Sequence, residues 1–159
     1  MGLRFVDASA PGHGRLVLAS MPGRFEPWAE FMALARQAQV GLVVCLAPLD
    51  EVAELSPTYA RLIGLGELPF RWLHLPMRNY GLPEDLAGFR AGIARVDAAL
   101  RAGETVLLHC AAGIGRTGSA AACVLKCAGL ETEEALRRVR AAGSNPENAV
   151  QSGLVEQFS

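Results

Sequence analysis

The residues best suited to chemistry lie in one short stretch, residues 109–118, which reads HCAAGIGRTG. Cys110 lies near its start, and Arg116 and Thr117 follow it six and seven positions later. An apolar run typical of a buried strand precedes the stretch, and an apolar segment typical of a buried helix follows it. A tight turn there directs backbone N–H groups into one concavity, and the helix N-terminus adds positive potential. The sequence therefore predicts a site for a dianionic phosphate group.

Three side chains of this stretch have complementary chemistry. The dipoles that bind phosphate also stabilise a thiolate, and cysteines in such positions reach pKa values of ~3.5–7.5, so Cys110 is predicted to be a nucleophile. Arg116 can bind two phosphate oxygens through its planar guanidinium, which a lysine cannot do. The Thr117 hydroxyl can hydrogen-bond the cysteine sulfur and help the thiolate leave. A buried structural cysteine is the plain alternative, but this ordered set of residue types is too restrictive for it.

The backbone of the turn is predicted to hold the phosphate. The residues expected to contribute, besides Arg116, are Ala111, Ala112, Gly113, Ile114 and Gly115. Gly113 and Gly115 permit positive φ and close approach of the anion, and we expect Gly118 to let the helix pack against the sheet.

Two other phosphate-binding motifs are excluded. Residues 113–118 match the dinucleotide fingerprint GxGxxG, but that motif needs a second strand ending in an acidic residue ~20 positions on. The corresponding region, 132–142, is predicted to be helical. The NTPase phosphate loop needs Lys-Ser/Thr where this chain has Arg-Thr.

Strand and helix patterns alternate along the chain. Predicted strands cover residues 16–19, 41–46, 70–75 and 106–109. Predicted helices begin at Pro27 and at Pro57, and the second of these is expected to end near Gly64. Further helices are predicted over 86–100 and 117–127, after a Thr132 cap, and over 150–158. Strands separated by helices imply a mostly parallel sheet covered on both faces. We expect one α/β domain over residues 1–159, with a central sheet of four to five strands.

Composition restricts the partners and the compartment. The 159 residues carry 15 basic and 16 acidic side chains with no basic stripe, which argues against nucleic-acid or membrane-surface binding. No apolar run approaches the ~20 residues of a membrane span, and residues 1–10 lack a signal core. Four cysteines without a CxxC pair and three scattered histidines predict reduced thiols and no metal or cofactor. We expect a cytoplasmic monomer.

Residues 109–118 resemble the signature of the protein-tyrosine phosphatases, His-Cys-x5-Arg-Ser/Thr-Gly. The resemblance extends over residues 16–158, and the short chain is similar to the small atypical dual-specificity phosphatases. It implies the fold of that superfamily and a phosphate-monoester hydrolase that acts through a phosphocysteine intermediate.

The resemblance also implies roles for individual residues. Cys110 would be the nucleophile, Arg116 the phosphate ligand and Thr117 the hydroxyl that aids hydrolysis. His109 would orient the loop and support the thiolate.

The chain departs from this family in a second loop. There the family carries an Asp that protonates the leaving oxygen, and the matching segment, 75–83, has Asn79 at that position. Asn79 could act as a hydrogen-bond donor only. Glu84 or Asp85, or more distantly Asp50, could supply the proton, although acids are also favoured in the first turn of a helix. Alternatively, the protein could be a phosphate- or phosphoprotein-binding module with little turnover.

Near the C-terminus, residues 146–151 resemble the family segment that places a glutamine near the hydrolytic water. Gln151 is the candidate for that role, although Asn145 replaces the usual arginine and a surface glutamine is an equal alternative. Family members that hydrolyse phosphoinositides often carry basic residues in the phosphate loop. Residues 111–115 contain no lysine, which favours phosphotyrosine and leaves phosphoinositide hydrolysis as an alternative.

Overall fold

The computed structural model describes residues 2–7, 13–78 and 80–159. In these ranges the strands are β1 (Arg4–Val6), β2 (Arg15–Ala19), β3 (Val40–Cys45), β4 (Arg71–His74) and β5 (Thr105–His109). The helices are α1 (Trp28–Gln37), α2 (Leu49–Leu55), α3 (Pro57–Leu65), α4 (Leu86–Arg101), α5 (Gly115–Cys127), α6 (Thr132–Ala141) and α7 (Ala149–Gln157). No helix within these ranges is both long and apolar enough to cross a membrane.

The strands form one sheet in the order β1-β2-β5-β3-β4. β5 lies at the centre and pairs in parallel with β2 and β3, while β4 pairs in parallel with β3. Only the edge strand β1 is antiparallel to its neighbour. The predicted fold class, a mostly parallel sheet of four to five strands, is confirmed. In such sheets, ligands bind beyond the carboxyl ends of the strands, which is where the 109–118 stretch lies.

Helices cover both faces of the sheet, as predicted. Alternate strand residues such as Leu16, Leu18 and Leu108 pack on one face against α4, α5, α6 and α7. The intervening residues, such as Val43 and Leu107, pack on the other face against α1. Eleven of the 13 residues of α5 are buried, which explains why most of this helix consists of small and apolar residues. The phosphate-loop stretch is therefore held between a central strand and a largely buried helix.

Five elements differ from the prediction. β1 and α2 were not predicted, because three residues and two turns are too short to show a hydrophobic period. α3 continues to a left-handed cap at Gly66, beyond the expected end near Gly64. The N-cap of α6 is Glu131 and not Thr132 as predicted, because Thr132 is already the first helical residue. α5 starts at Gly115, two residues before the predicted start.

Candidate active site

The loop between β5 and α5 turns tightly around the sulfur of Cys110. Cys110 is 3% exposed, and its Sγ accepts a hydrogen bond from the Gly113 N–H at 3.3 Å. Gly113 has φ +80°, and a Cβ there would lie 2.5 Å from the carbonyl oxygen of Ala19. The expected positive φ at Gly113 is therefore confirmed. Gly115 has no positive φ, because it is the first residue of α5.

A cavity of about 300 Å³ opens above this loop. Cys110, Arg116 and three of the predicted phosphate-binding residues line it, namely Ala111, Ala112 and Gly115. Gly113 and Ile114 are not among its lining residues. Four side chains from other segments complete the wall with charge or an aromatic ring: Arg24, Glu51, Tyr80 and Glu147.

Arg116 is oriented towards this cavity by a carboxylate that the sequence reasoning missed. Its guanidinium is 1% exposed and donates from Nη2 to Glu51 Oε2 at 2.7 Å and from Nη1 to Glu51 Oε1 at 3.3 Å. Nη1 also donates to the Met77 carbonyl at 3.0 Å. The remaining donor, Nε, has no partner among the described residues. A buried donor without a partner is costly, so an anion in the cavity would be bound favourably.

His109 lies behind the loop in a chain of hydrogen bonds. Its Nδ1 is 3.0 Å from the Cys110 carbonyl oxygen, which can only accept, so Nδ1 carries the proton. Nε2 then accepts from the Tyr59 hydroxyl at 2.8 Å, and that hydroxyl accepts from Trp72 Nε1–H at 2.8 Å. Burial, together with the nearby positive charge of Arg116, lowers the pKa of His109 to about 4. The ring is therefore neutral near pH 7, where it can orient the loop but cannot pair as a cation with a thiolate.

The backbone of the loop is fixed from the opposite side by the N-terminal strand. The Gly113 carbonyl accepts hydrogen bonds from Arg4 Nη2 at 2.5 Å and from Ser144 Oγ at 2.6 Å. Arg4 also donates to Ser144 Oγ at 2.8 Å. These contacts join β1 and the end of α6 to the loop, and no local sequence pattern signals them.

Thr117 is completely buried in the first turn of α5. Its hydroxyl has no hydrogen-bond partner among the described residues, so the expected bond to the Cys110 sulfur is not formed here. The assistance of Thr117 in hydrolysis stays a prediction.

Gln151 borders the loop. A Cβ added to Gly115 would lie 2.9 Å from Gln151 Oε1, and that oxygen accepts a hydrogen bond from the Glu147 N–H at 2.8 Å. The side chain is fully buried, so the alternative of a surface glutamine is wrong. Its Nε2 has no partner in the described part of the chain and can donate to a water molecule beside the loop.

The carboxylates proposed as substitutes for the missing acid lie elsewhere. Asp85 is the N-cap of α4, and its side chain accepts from the Gly88 N–H at 3.0 Å. Together with Glu84 it borders a different cavity. Asp50 is exposed in the first turn of α2. None of these three lines the Cys110 cavity, so the geometry does not support the predicted catalytic role of Asp85. Asn79 lies outside the described residues.

The other cysteines have different surroundings. Burial raises the pKa of Cys45 and of Cys123 to about 12, and it also raises the pKa of Cys127. In the described ranges, no group of three or more His, Cys, Asp or Glu side chains is arranged to hold a metal ion.

Comparison with solved structures gives the same fold. The structure of kinase associated phosphatase (KAP) with its catalytic cysteine replaced by serine has a TM-score of 0.83 at 17% identity, covering 99% of this chain and 93% of that one. Tk-PTP in its active form has a TM-score of 0.71 at 25% identity, with 93% and 96% covered. Human tyrosine phosphatase-like serine/threonine/tyrosine-interacting protein has a TM-score of 0.72 at 18% identity, with 97% and 94% covered.

Sequence comparison identifies the family. No curated protein matches this chain. The family model PTP-SAK, described as the DSP-PTPase phosphatase domain of the Swiss Army Knife protein, matches residues 13–152. This match covers most of the chain and includes the whole 109–118 signature. The chain belongs to this family of DSP-PTPase phosphatase domains.

Proposed function

We propose that this protein is a phosphate-monoester hydrolase in which Cys110 is the nucleophile and Arg116 binds the transferred phosphoryl group. One observation carries this proposal. The Cys110 sulfur and the buried Arg116 guanidinium border the same cavity at the N-terminus of α5, and Glu51 holds the guanidinium in place. The sulfur, the guanidinium and the backbone of the loop thus border one cavity, which supports binding of a phosphate group there.

The reaction takes two steps. In the first, the Cys110 thiolate attacks phosphorus, an S–P bond forms, and the P–O bond to the leaving group breaks as the leaving oxygen takes up a proton. In the second, water attacks phosphorus and the S–P bond breaks while a base accepts a proton of the water. This step releases inorganic phosphate and restores the thiolate. Arg116 and the loop amides stabilise the charge on the equatorial oxygens in both transition states.

The cavity mouth favours an aryl phosphate such as phosphotyrosine. Tyr80 lines the cavity and is 58% exposed, so its ring can pack against a planar leaving group. The loop segment 111–115 carries no basic side chain to bind the additional phosphates of a phosphoinositide. Among the described residues that line this cavity, Arg24 is the one cation besides Arg116.

A substrate panel tests the proposal. Wild type and Cys110→Ser are compared on an aryl phosphate, phosphotyrosine, phosphoserine and phosphothreonine peptides, and phosphoinositides, with release of inorganic phosphate as the readout. We expect turnover of the aryl phosphate and phosphotyrosine by wild type, none by Cys110→Ser, and a covalent phosphoenzyme that rapid quenching traps in wild type. Binding of phosphopeptides without turnover would instead support a binding module, and preferred turnover of phosphoinositides would overturn the proposed substrate class.

A further inference from the structure

We infer that Glu147 is the proton donor of the first step and the proton acceptor of the second, an inference that rests on the proposed function. Two carboxylates line the Cys110 cavity in the described part of the chain, those of Glu147 and Glu51. Glu51 is engaged with Arg116 through both oxygens. The Glu147 carboxylate forms no hydrogen bond or ion pair with the described residues, so it is available for proton transfer.

Glu147 lies against the phosphate loop. A Cβ added to Gly115 would collide with Glu147 Oε1, so the carboxylate contacts the residue directly before Arg116. Glu147 is exposed, whereas Cys110 is 3% exposed. This difference places the sulfur at the floor of the cavity and the carboxylate towards its mouth. In an in-line displacement at phosphorus, the leaving oxygen lies opposite the sulfur, on the same side as the mouth.

Three contacts fix the segment that carries Glu147. The Asn145 N–H donates to the Ile114 carbonyl at 3.2 Å, and the Glu147 N–H donates to Gln151 Oε1 at 2.8 Å. Asn148 Nδ2 donates to the Tyr80 carbonyl at 2.9 Å. Glu147 is thus held between the phosphate loop and the loop that carries Asn79, which is the loop that supplies the acid in the family.

The surroundings of Glu147 offer a route for both proton transfers. A leaving oxygen at the cavity mouth lies on the side of the Glu147 carboxyl group, which can donate a proton to it. After the leaving group departs, the carboxylate can accept a proton from water held near the unpartnered Nε2 of Gln151. The charged or titratable groups that line the cavity with Glu147 are Arg24, Glu51, Tyr80, Cys110 and Arg116.

The proton balance closes over one cycle. In the first step the Glu147 proton moves to the leaving oxygen as the P–O bond breaks, which leaves phosphocysteine and a carboxylate. In the second step a proton of the attacking water moves to Glu147 as the S–P bond breaks, which restores the thiolate and the carboxyl group and releases hydrogen phosphate. No other reactant is needed.

The test is Glu147→Gln, with Glu84→Gln as the matched control on an exposed glutamate outside the cavity. Kinetics are measured on a series of substituted phenyl phosphates from pH 5 to 8. We expect Glu147→Gln to lower kcat/KM by ~10²–10⁴-fold for phenyl phosphate. For phosphate esters of strongly acidic phenols, which leave readily without a proton, the decrease should be about tenfold or less. The loss of activity with rising pH should disappear in this variant, and Glu84→Gln should stay within about twofold of wild type.

Two outcomes would overturn the inference. If Glu147 only stabilises the N-terminus of α5 by its charge, Glu147→Gln will lower kcat/KM by the same factor for all substrates. If no group donates a proton, wild type itself will show the steep dependence on the leaving group.

Trapping of the phosphoenzyme separates this inference from the proposed function. Glu147→Gln should still form phosphocysteine from an activated aryl phosphate and accumulate more of it than wild type, because the second step loses its base. That signal also shows that the variant is folded. A trapped phosphoenzyme in wild type, with normal kinetics in Glu147→Gln, refutes only the role of Glu147. Turnover by Cys110→Ser refutes the proposed function itself.

Discussion

Replacing Glu51 by glutamine separates the orientation of Arg116 from its charge. Glu51 accepts two hydrogen bonds from the guanidinium, at 2.7 and 3.3 Å, and the two side chains are 22% and 1% exposed. Removing one partner of a buried ion pair costs ~3–5 kcal/mol, but the partial exposure of Glu51 screens the pair and glutamine keeps one acceptor. We therefore expect a loss of ~2 kcal/mol in the free energy of unfolding, equivalent to ~4–8 °C in Tm for a domain of this size.

The kinetic effect of Glu51→Gln should divide unequally between kcat and KM. The guanidinium keeps its charge, so the attraction for phosphate persists or increases once the competing carboxylate is gone. Its orientation relaxes, and the lost geometry counts mainly in the transition state. We expect kcat to fall ~10–100-fold, which corresponds to ~1.4–2.7 kcal/mol, while KM stays constant or decreases.

The assay compares steady-state kinetics and thermal unfolding of wild type, Glu51→Gln and Glu54→Gln. Glu54 is an exposed residue of the same helix, so its variant controls for the charge of α2 and should match wild type. An unchanged kcat and Tm in Glu51→Gln would refute the reasoning, since the Met77 carbonyl alone would then suffice to orient Arg116. A raised KM with constant kcat would show that Glu51 contacts the substrate directly.

Three further outcomes are expected. Alkylation near pH 6, followed by peptide mass spectrometry, should label Cys110 first and be slowed by phosphate. Cys45 and Cys123, whose pKa values burial raises to about 12, should react much more slowly; faster labelling of Cys45 contradicts the assignment. The free energy of unfolding should fall as pH drops from ~6.5 to about 4, because the unfolded state binds a proton that buried His109 does not; His109→Asn should remove this dependence. Gly113→Ala should cost at least ~1–3 kcal/mol and most of the activity, because φ is +80° and the new Cβ meets Ala19; wild-type Tm and kcat would disprove this.

The part of the site that the sequence predicts is the part that is contiguous in sequence. Residue types and spacing in 109–118 are sufficient to predict the turn and the placement of Cys110 and Arg116 at one cavity, because a strand–turn–helix junction is a local structure. The alternation of apolar runs likewise predicts the sheet, because buried parallel strands are apolar throughout. β1 was missed because its three residues are stabilised by pairing with β2 and by the contacts of Arg4, which lies 109 positions from Gly113 in the chain.

Three residues of the cavity wall follow from topology rather than from motif. Arg24 follows β2, Glu51 follows β3 and Tyr80 follows β4, so each lies beyond the carboxyl end of a parallel strand. The general rule that ligands bind at this edge of an open sheet makes all three segments candidates once the strands are predicted. The rule does not tell which residue of each segment lines the cavity. An acid in the first turn of α2 is equally explained by the helix dipole, and only the pairing of Glu51 with Arg116 distinguishes it from Asp50.

Glu147 reaches the cavity by a different route, and Gly118 explains how. Gly118 was expected to let α5 pack against the sheet, but a Cβ at this position would lie 2.5 Å from the backbone nitrogen of Asn145. The glycine therefore admits the α6–α7 connection, whose backbone bonds to the Ile114 carbonyl and brings Glu147 and Gln151 to the phosphate loop. The signature thus encodes both the phosphate loop and the approach of a second segment to it. This segment is the one from which we propose proton transfer, in a chain that carries Asn79 where the family carries an Asp.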